Sequence, residues 1–233
     1  MNIRQTLGEA VPTIIFRQIA NKIRRVLCKP TLTEQDAKGI IERRKLTDID
    51  NLLKFIKTSN SYKFAELSKI AELANAQRED NAAYYTRQDT CFTMVSKLPE
   101  AKEYAILNIL EPSVGVGNFL PTLIHKYADV PQVNIDVVDI DEKSIAILQV
   151  LVDKIYVPQN IHINYIVADS LLYDFRKKYD IVIGNPPYIK ITKDKKLLAL
   201  YKQQVQNKDT NNIFAFFIEK MMSVGDIVSL IVP

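Results

Sequence analysis

At 233 residues the chain has enough material for one large domain or a modest domain with an appendage, and 47% apolar residues suffice for a sizeable core. Its 31 basic side chains against 27 acidic ones leave a net charge of +4, an excess that permits a nucleic-acid partner without requiring one. Cys28 and Cys91 lie in unrelated contexts with no ligand cluster, which excludes a disulfide framework and a zinc site. No apolar run approaches the length of about 18 residues that spans a bilayer, and the opening MNIRQTLGEA lacks a secretory core, so a cytoplasmic protein with no membrane partner is expected.

Residues 1–80 read as a helical extension. Over residues 14–27, Ile15, Ile19, Ile23 and Val26 share one face of an amphipathic helix. Thr33 followed by Asp36 marks the capped start of the next helix. Residues 46–57 and 62–76 continue the helical pattern, the latter through Phe64, Leu67, Ile70, Ala71 and Ala74. Basic side chains outnumber acidic ones across residues 1–45, which suits either contact with DNA or a solvated charged face.

The pattern changes near residue 104. Apolar strand-like runs at 104–112, 133–138, 161–167, 179–184 and 226–232 alternate with helical stretches at 119–127, 142–154 and 211–222, separated in one place by a polar, lysine-bearing stretch at 189–210. Such alternation predicts an α/β fold, a doubly wound and mostly parallel Rossmann-like sheet, occupying residues 81–233 as a second domain. Ligands of such sheets sit beyond the carboxyl ends of the strands, and four chemically distinctive segments fall at such ends.

The first is Ser113-Val114-Gly115-Val116-Gly117-Asn118. Two glycines without Cβ atoms let the backbone turn tightly and approach a ligand, although Leu120 stands where a dinucleotide fingerprint would place a third glycine; a purely structural turn is the alternative. Asp139 ends the second strand, where its carboxylate can accept both hydroxyls of a ribose, unless it and Asp141 merely cap the following helix. Asp169 ends the third, where it can accept from the amino group of an adenine, with Ser170 and Leu171 shaping the pocket; a loop acid is the alternative.

The fourth segment, Asn185-Pro186-Pro187-Tyr188, is the most specific. Consecutive prolines fix φ and remove two N–H donors, leaving carbonyls and one amide in a stiff turn. Methyl transfer to an exocyclic amine needs acceptors aimed at the amine protons, so that its lone pair localises and the developing positive charge is stabilised. The Asn185 side-chain oxygen and the Pro186 carbonyl suit that task, and Tyr188 can stack on a planar base. The scheme uses neither a metal nor a covalent nucleophile, and Cys91 has no partner acid or base nearby in the sequence.

Taken with Tyr84-Tyr85-Thr86-Arg87-Gln88 ahead of the first strand, these segments make the chain resemble the amino-terminal part of class-gamma, N6-adenine-specific DNA methyltransferases of type II-like restriction-modification systems, over roughly residues 80–233. The resemblance implies S-adenosyl-L-methionine as cofactor. It implies cofactor contacts from Tyr85 and Thr86, from Glu111, Ser113, Gly115, Gly117 and Phe119 of the glycine motif, from Asp139 with Ile140, from Asp169 with Ser170, and from Asn185. Asn185, Pro186, Pro187 and Tyr188 match the family's catalytic motif without substitution. Implied partners are double-stranded DNA, a restriction endonuclease and a carboxyl-terminal or specificity chain, because the family's sheet has seven strands and a recognition domain follows it, whereas only five strands are legible here.

The tetrapeptide alone also fits enzymes resembling protein-glutamine or RNA guanine-N2 methyltransferases, which present a similar planar nitrogen. A non-catalytic or split-enzyme fragment needing a partner chain is a third reading. Lys190, Lys193, Lys195 and Lys196 follow the catalytic turn and suit either contact with DNA phosphates or a solvated loop.

Overall fold

The computed structural model describes residues 32–79 and 86–233. The expected helix over 14–27, Cys28 and Tyr85 lie outside them. Three helices come first: α1 (Glu34–Arg44), α2 (Ile49–Thr58) and α3 (Phe64–Glu79). The Thr33 hydroxyl accepts from the Asp36 N–H while the Asp36 carboxylate accepts from the Thr33 N–H, closing the capping box anticipated from the sequence. Asp48 caps α2 by accepting from the Asn51 N–H.

The sheet follows, with β1 (Ile106–Glu111), β2 (Gln132–Asp139), β3 (Ile161–Val167), β4 (Tyr179–Gly184) and β5 (Gly225–Leu230) in the order β3-β2-β1-β4-β5, every pair parallel. Side chains alternate between the faces. Ile109, Val137, Ile181 and Ile183 join one core with α4 (Gln88–Val95), α5 (Leu120–Lys126) and α6 (Glu142–Val152). Leu110, Val138 and Val182 join another with α7 (Lys195–Gln203) and α8 (Ile213–Val224). Burial on both faces explains why the strands read as continuous apolar runs.

Helices α1–α3 form a further layer on the outside of α6. Leu52, Ile56, Leu67 and Ile70 are fully buried in a cluster that includes Ile147, Val150 and Leu151 of α6, each such side chain stabilising the contact by about 1.5–3 kcal/mol. The Asn75 amide donates to Ser144 Oγ at 3.0 Å, which ties α3 to the start of α6. The cluster that holds the extension together also takes in Val116 of the glycine turn and one face of α6.

Two differences from the sequence reading stand out. The polar stretch 189–210 contains α7, whose N-cap Asp194 accepts from the Leu197 N–H at 2.8 Å, and Leu197, Leu198 and Tyr201 supply its apolar face. The fifth strand begins at Gly225, one residue early, and Gly225 packs against Val182, whose Cγ2 would stand 2.4 Å from an added Cβ. No helix among the described residues is long and apolar enough to cross a membrane.

Candidate active site

The strand order reverses between β1 and β4, so the connections leaving their carboxyl ends run to opposite faces and open a crevice. A cleft of about 400 Å³ lies there, within the roughly 300–1,000 Å³ usual for small-molecule sites. Its walls come from all four segments singled out in the sequence and from three helices.

The glycine turn forms one wall. Gly115 and Gly117 have φ of +53° and +80°, in the left-handed region that disfavours a side chain. The Gly115 N–H donates to Asp139 Oδ2 at 2.8 Å, and the Asp141 N–H donates to Asp139 Oδ1 at 3.0 Å. Asp139 thus holds the turn. The capping role falls to Asp141, which accepts from the N–H groups of Lys143 and Ser144 and stands outside the cleft wall. Gly115 lines the cleft, whereas Gly117 packs away from it, with Leu148 Cδ1 only 2.3 Å from where a Cβ would stand.

Asp169 lines the opposite end beside Ile140 and Ala168. Its Oδ1 accepts from the Leu171 N–H at 2.9 Å, and its Oδ2 accepts from the Tyr201 hydroxyl at 2.7 Å. Burial, and then this bond to Asp169, push the Tyr201 phenol well above its ordinary pKa, so it remains a donor. Ser170 donates to the Pro112 carbonyl and clamps the β3 exit to the β1 exit, while Leu171 is buried in the core beneath.

The tetrapeptide lines the cleft from the exit of β4. Ser113 Oγ donates to the Asn185 carbonyl at 3.1 Å, and Asn185 Nδ2 donates to Thr86 Oγ1 at 3.0 Å. Asn185, Pro186, Pro187 and Thr86 all line the cavity. Tyr188 stands behind the turn: its hydroxyl sits between two acceptors, Asn185 Oδ1 and the Ile231 carbonyl, and its ring meets Phe214 edge-on at 6.3 Å. Ile189, Ile213 and Phe217 line the cavity, and Tyr188 is not part of its wall. Lys190 pairs with Asn212 in an isolated bridge, and Lys193, Lys195 and Lys196 are exposed between the cleft residues Ile189 and Tyr201.

Glu111, at the end of β1, is 2% exposed, and its Oε2 has no hydrogen-bond partner among the described residues. Burial, followed by the neighbouring charges of Asp139 and Glu72, holds its carboxyl well above the usual range. Glu72 of α3 lines the same wall, accepting at Oε2 from Asn118 Nδ2 at 3.1 Å, and burial raises its pKa to about 8. Asn118 is itself oriented by the Gln88 amide, which donates to Asn118 Oδ1 at 3.3 Å. Cys91 is buried outside the cleft, and burial pushes its thiol upward, so it stays protonated.

Of the residues named from the sequence, Thr86, Glu111, Ser113, Gly115, Phe119, Asp139, Ile140, Asp169, Ser170, Asn185, Pro186 and Pro187 converge on one cavity. Glu72 and Tyr201 were not anticipated. The spacing of Leu197, Leu198 and Tyr201 could have disclosed α7 and with it Tyr201. Glu72 has no local signal, being one acid among several on an amphipathic helix.

Comparison with known proteins points the same way. The model of the Eco57I restriction-modification methylase family matches residues 24–233. The chain is 26% identical over 202 residues to the type II methyltransferase M.VspI of Vibrio sp. (strain 343), a match covering 85% of this chain and 48% of that protein. It is 27% identical over 116 residues to the type II methyltransferase M.CvrRI of Paramecium bursaria Chlorella virus XZ-6E, covering 50% of this chain and 27% of the other. The chain thus spans half the length or less of these curated relatives. A crystal structure from Listeria monocytogenes, described as a class I S-adenosylmethionine-dependent methyltransferase, superposes with a TM-score of 0.52 at 19% identity over 84% of this chain and 64% of that one, a likeness of fold.

Proposed function

From the premise that this chain belongs to the Eco57I restriction-modification methylase family, we propose that its cleft binds S-adenosyl-L-methionine and transfers the methyl group to the N6 amine of an adenine turned out of double-stranded DNA. The observation that carries this reading is the meeting of Asn185 and Pro186 with the Gly115 turn, Asp139 and Asp169 in a single cavity. Acceptors for a reacting amine and acceptors for a nucleoside lie within one small-molecule volume.

The residues fit the cofactor chemically. Asp139, rigidly held through Gly115 and Asp141, accepts from the ribose hydroxyls; Asp169, fixed by Tyr201, accepts from the adenine amine; Ile140 and Ala168 supply apolar contact for the ring. Thr86, Glu111, Ser113 and Phe119 border the remaining end, and Tyr85 precedes them in sequence. Bound there, the cofactor supplies an electrophilic methyl on a sulfonium.

The chain's own work is at the amine. Asn185 Oδ1 and the Pro186 carbonyl accept hydrogen bonds from its two N–H groups and draw its lone pair out of conjugation, while the stiff Pro186-Pro187 backbone keeps the acceptors in place. Ile189, Ile213 and Phe217 offer the target base an apolar slot. Tyr188 orients the Asn185 amide, a role different from direct stacking. Lys190, Lys193, Lys195 and Lys196, on the stretch that borders this slot, neutralise backbone phosphates of the DNA. Membership in the family supports a restriction endonuclease and a specificity element as further partners.

Asn185→Ala tests the reading. Transfer of labelled methyl to unmethylated duplex DNA should fall by about 10²- to 10³-fold while cofactor binding is largely retained. Label entering protein glutamine or RNA, with none in DNA, would transfer the reaction to another planar nitrogen.

A further inference from the structure

The cleft is unusually acidic for the volume it encloses. Glu72, Glu111, Asp139 and Asp169 all line it, and the described residues of its wall include no lysine or arginine. Asp139 and Asp169 each have both oxygens engaged by hydrogen bonds from this chain. The other two differ. Glu111 is buried with Oε2 unpartnered, a costly arrangement for an isolated protein and one that a cationic ligand relieves. Glu72 comes from α3, outside the sheet, and reaches the glycine turn: its Oε1 lies 3.8 Å from where a Cβ on Gly115 would stand. The Asn118 amide, itself oriented by Gln88, donates to its other oxygen.

We propose that Glu72 is a binding residue for the α-ammonium group of the cofactor's amino-acid end, which it shares with Glu111. The assignment rests on the cofactor reading above and extends it to a residue of the helical layer. It gives α3, tied to α6 through Asn75 and Ser144, a part in the cofactor site. The groups facing Glu72 are Glu111 from β1, Asn118 from the turn and the Cys91 thiol from α4, with Asp139 acting on Glu111 from the end of β2. Without a cation, burial keeps Glu72 protonated at neutral pH. Taking up an ammonium group requires the carboxylate, so binding releases the proton to solvent and tightens as pH rises.

Calorimetric titration of the whole chain with three ligands tests this. S-adenosylmethionine and S-adenosylhomocysteine carry the ammonium group; 5′-methylthioadenosine lacks the amino acid. Glu72→Gln, close in shape, should weaken the first two by about 10- to 100-fold and leave the third unchanged, which also reports that the variant is folded. The wild type should bind S-adenosylhomocysteine more tightly as pH rises from about 5.5 to 7, with proton uptake by the buffer, and Glu72→Gln should flatten that slope. Equal affinities of wild type and variant for all three ligands would overturn the assignment of Glu72 while leaving the cofactor reading intact. If the wild type bound none of the three, the cofactor reading would fall and the assignment with it.

Discussion

At the residue scale the orientation of one amide governs the chemistry proposed here. Asn185 is held from both sides, its Nδ2 by Thr86 and its Oδ1 by the Tyr188 hydroxyl, so the acceptor reaches an incoming amine already aimed. Tyr188→Phe keeps the ring and its edge contact with Phe214 but removes that hydrogen bond. Rapid-quench or steady-state methylation assays should show kcat reduced about tenfold, the consequence of roughly 1.4 kcal/mol, with the Kd for S-adenosylmethionine unchanged. An increase in kcat would mean that the hydroxyl obstructs the acceptor. The tetrapeptide was legible in the sequence as a rigid set of acceptors. The use of Tyr188 as a brace was not, because its partner Ile231 lies 43 residues further along and reaches it only through the pairing of β4 with β5.

At the element scale the two glycines of the turn have separate tasks that the G-x-G pattern conceals. Both have positive φ, but a Cβ on Gly115 would meet only Glu72 Oε1 at 3.8 Å, whereas one on Gly117 would strike Leu148 of α6. Gly117→Ala should therefore lower stability in urea unfolding by about 2–4 kcal/mol, from strain and overpacking together. Gly115→Ala should cost only about 1–2 kcal/mol and show itself mainly in cofactor affinity. Comparable losses in the two variants would contradict this division. Helix α7 teaches a related lesson. Its lysines disguised it as a loop, yet Asp194 caps it and Leu197, Leu198 and Tyr201 give it a buried face. The helix places the Tyr201 hydroxyl on Asp169, so an element missed in the sequence positions an acid found there.

At the scale of the whole molecule the cleft draws its walls from the helical layer, from both halves of the sheet and from α7 and α8. A ligand that touches all of them adds a link between the helical layer, the sheet and the two carboxyl-terminal helices. Saturating S-adenosylmethionine should raise Tm, by the linkage that stabilises any state that alone binds the ligand. In hydrogen-exchange measurements it should slow exchange in α3 as well as in the glycine turn. Protection confined to the sheet would show that the helical layer takes no part in binding.

Sequence by itself determined what short stretches of chain encode: five apolar runs of strand length, a capping box at Thr33, and acids or a rigid acceptor turn at the strand ends. Each depends on neighbours within a few residues, so periodicity and turn chemistry suffice to reveal it. Only the tertiary structure decided which residues share a cavity. The reversal of strand order between β1 and β4 sets the Pro112–Phe119 turn against Asn185, and the packing of α3 on α6 brings Glu72 to the same wall as Glu111. Those approaches join segments tens of residues apart, and their physical cause is the burial of apolar faces between layers, which no local pattern around Glu72 records.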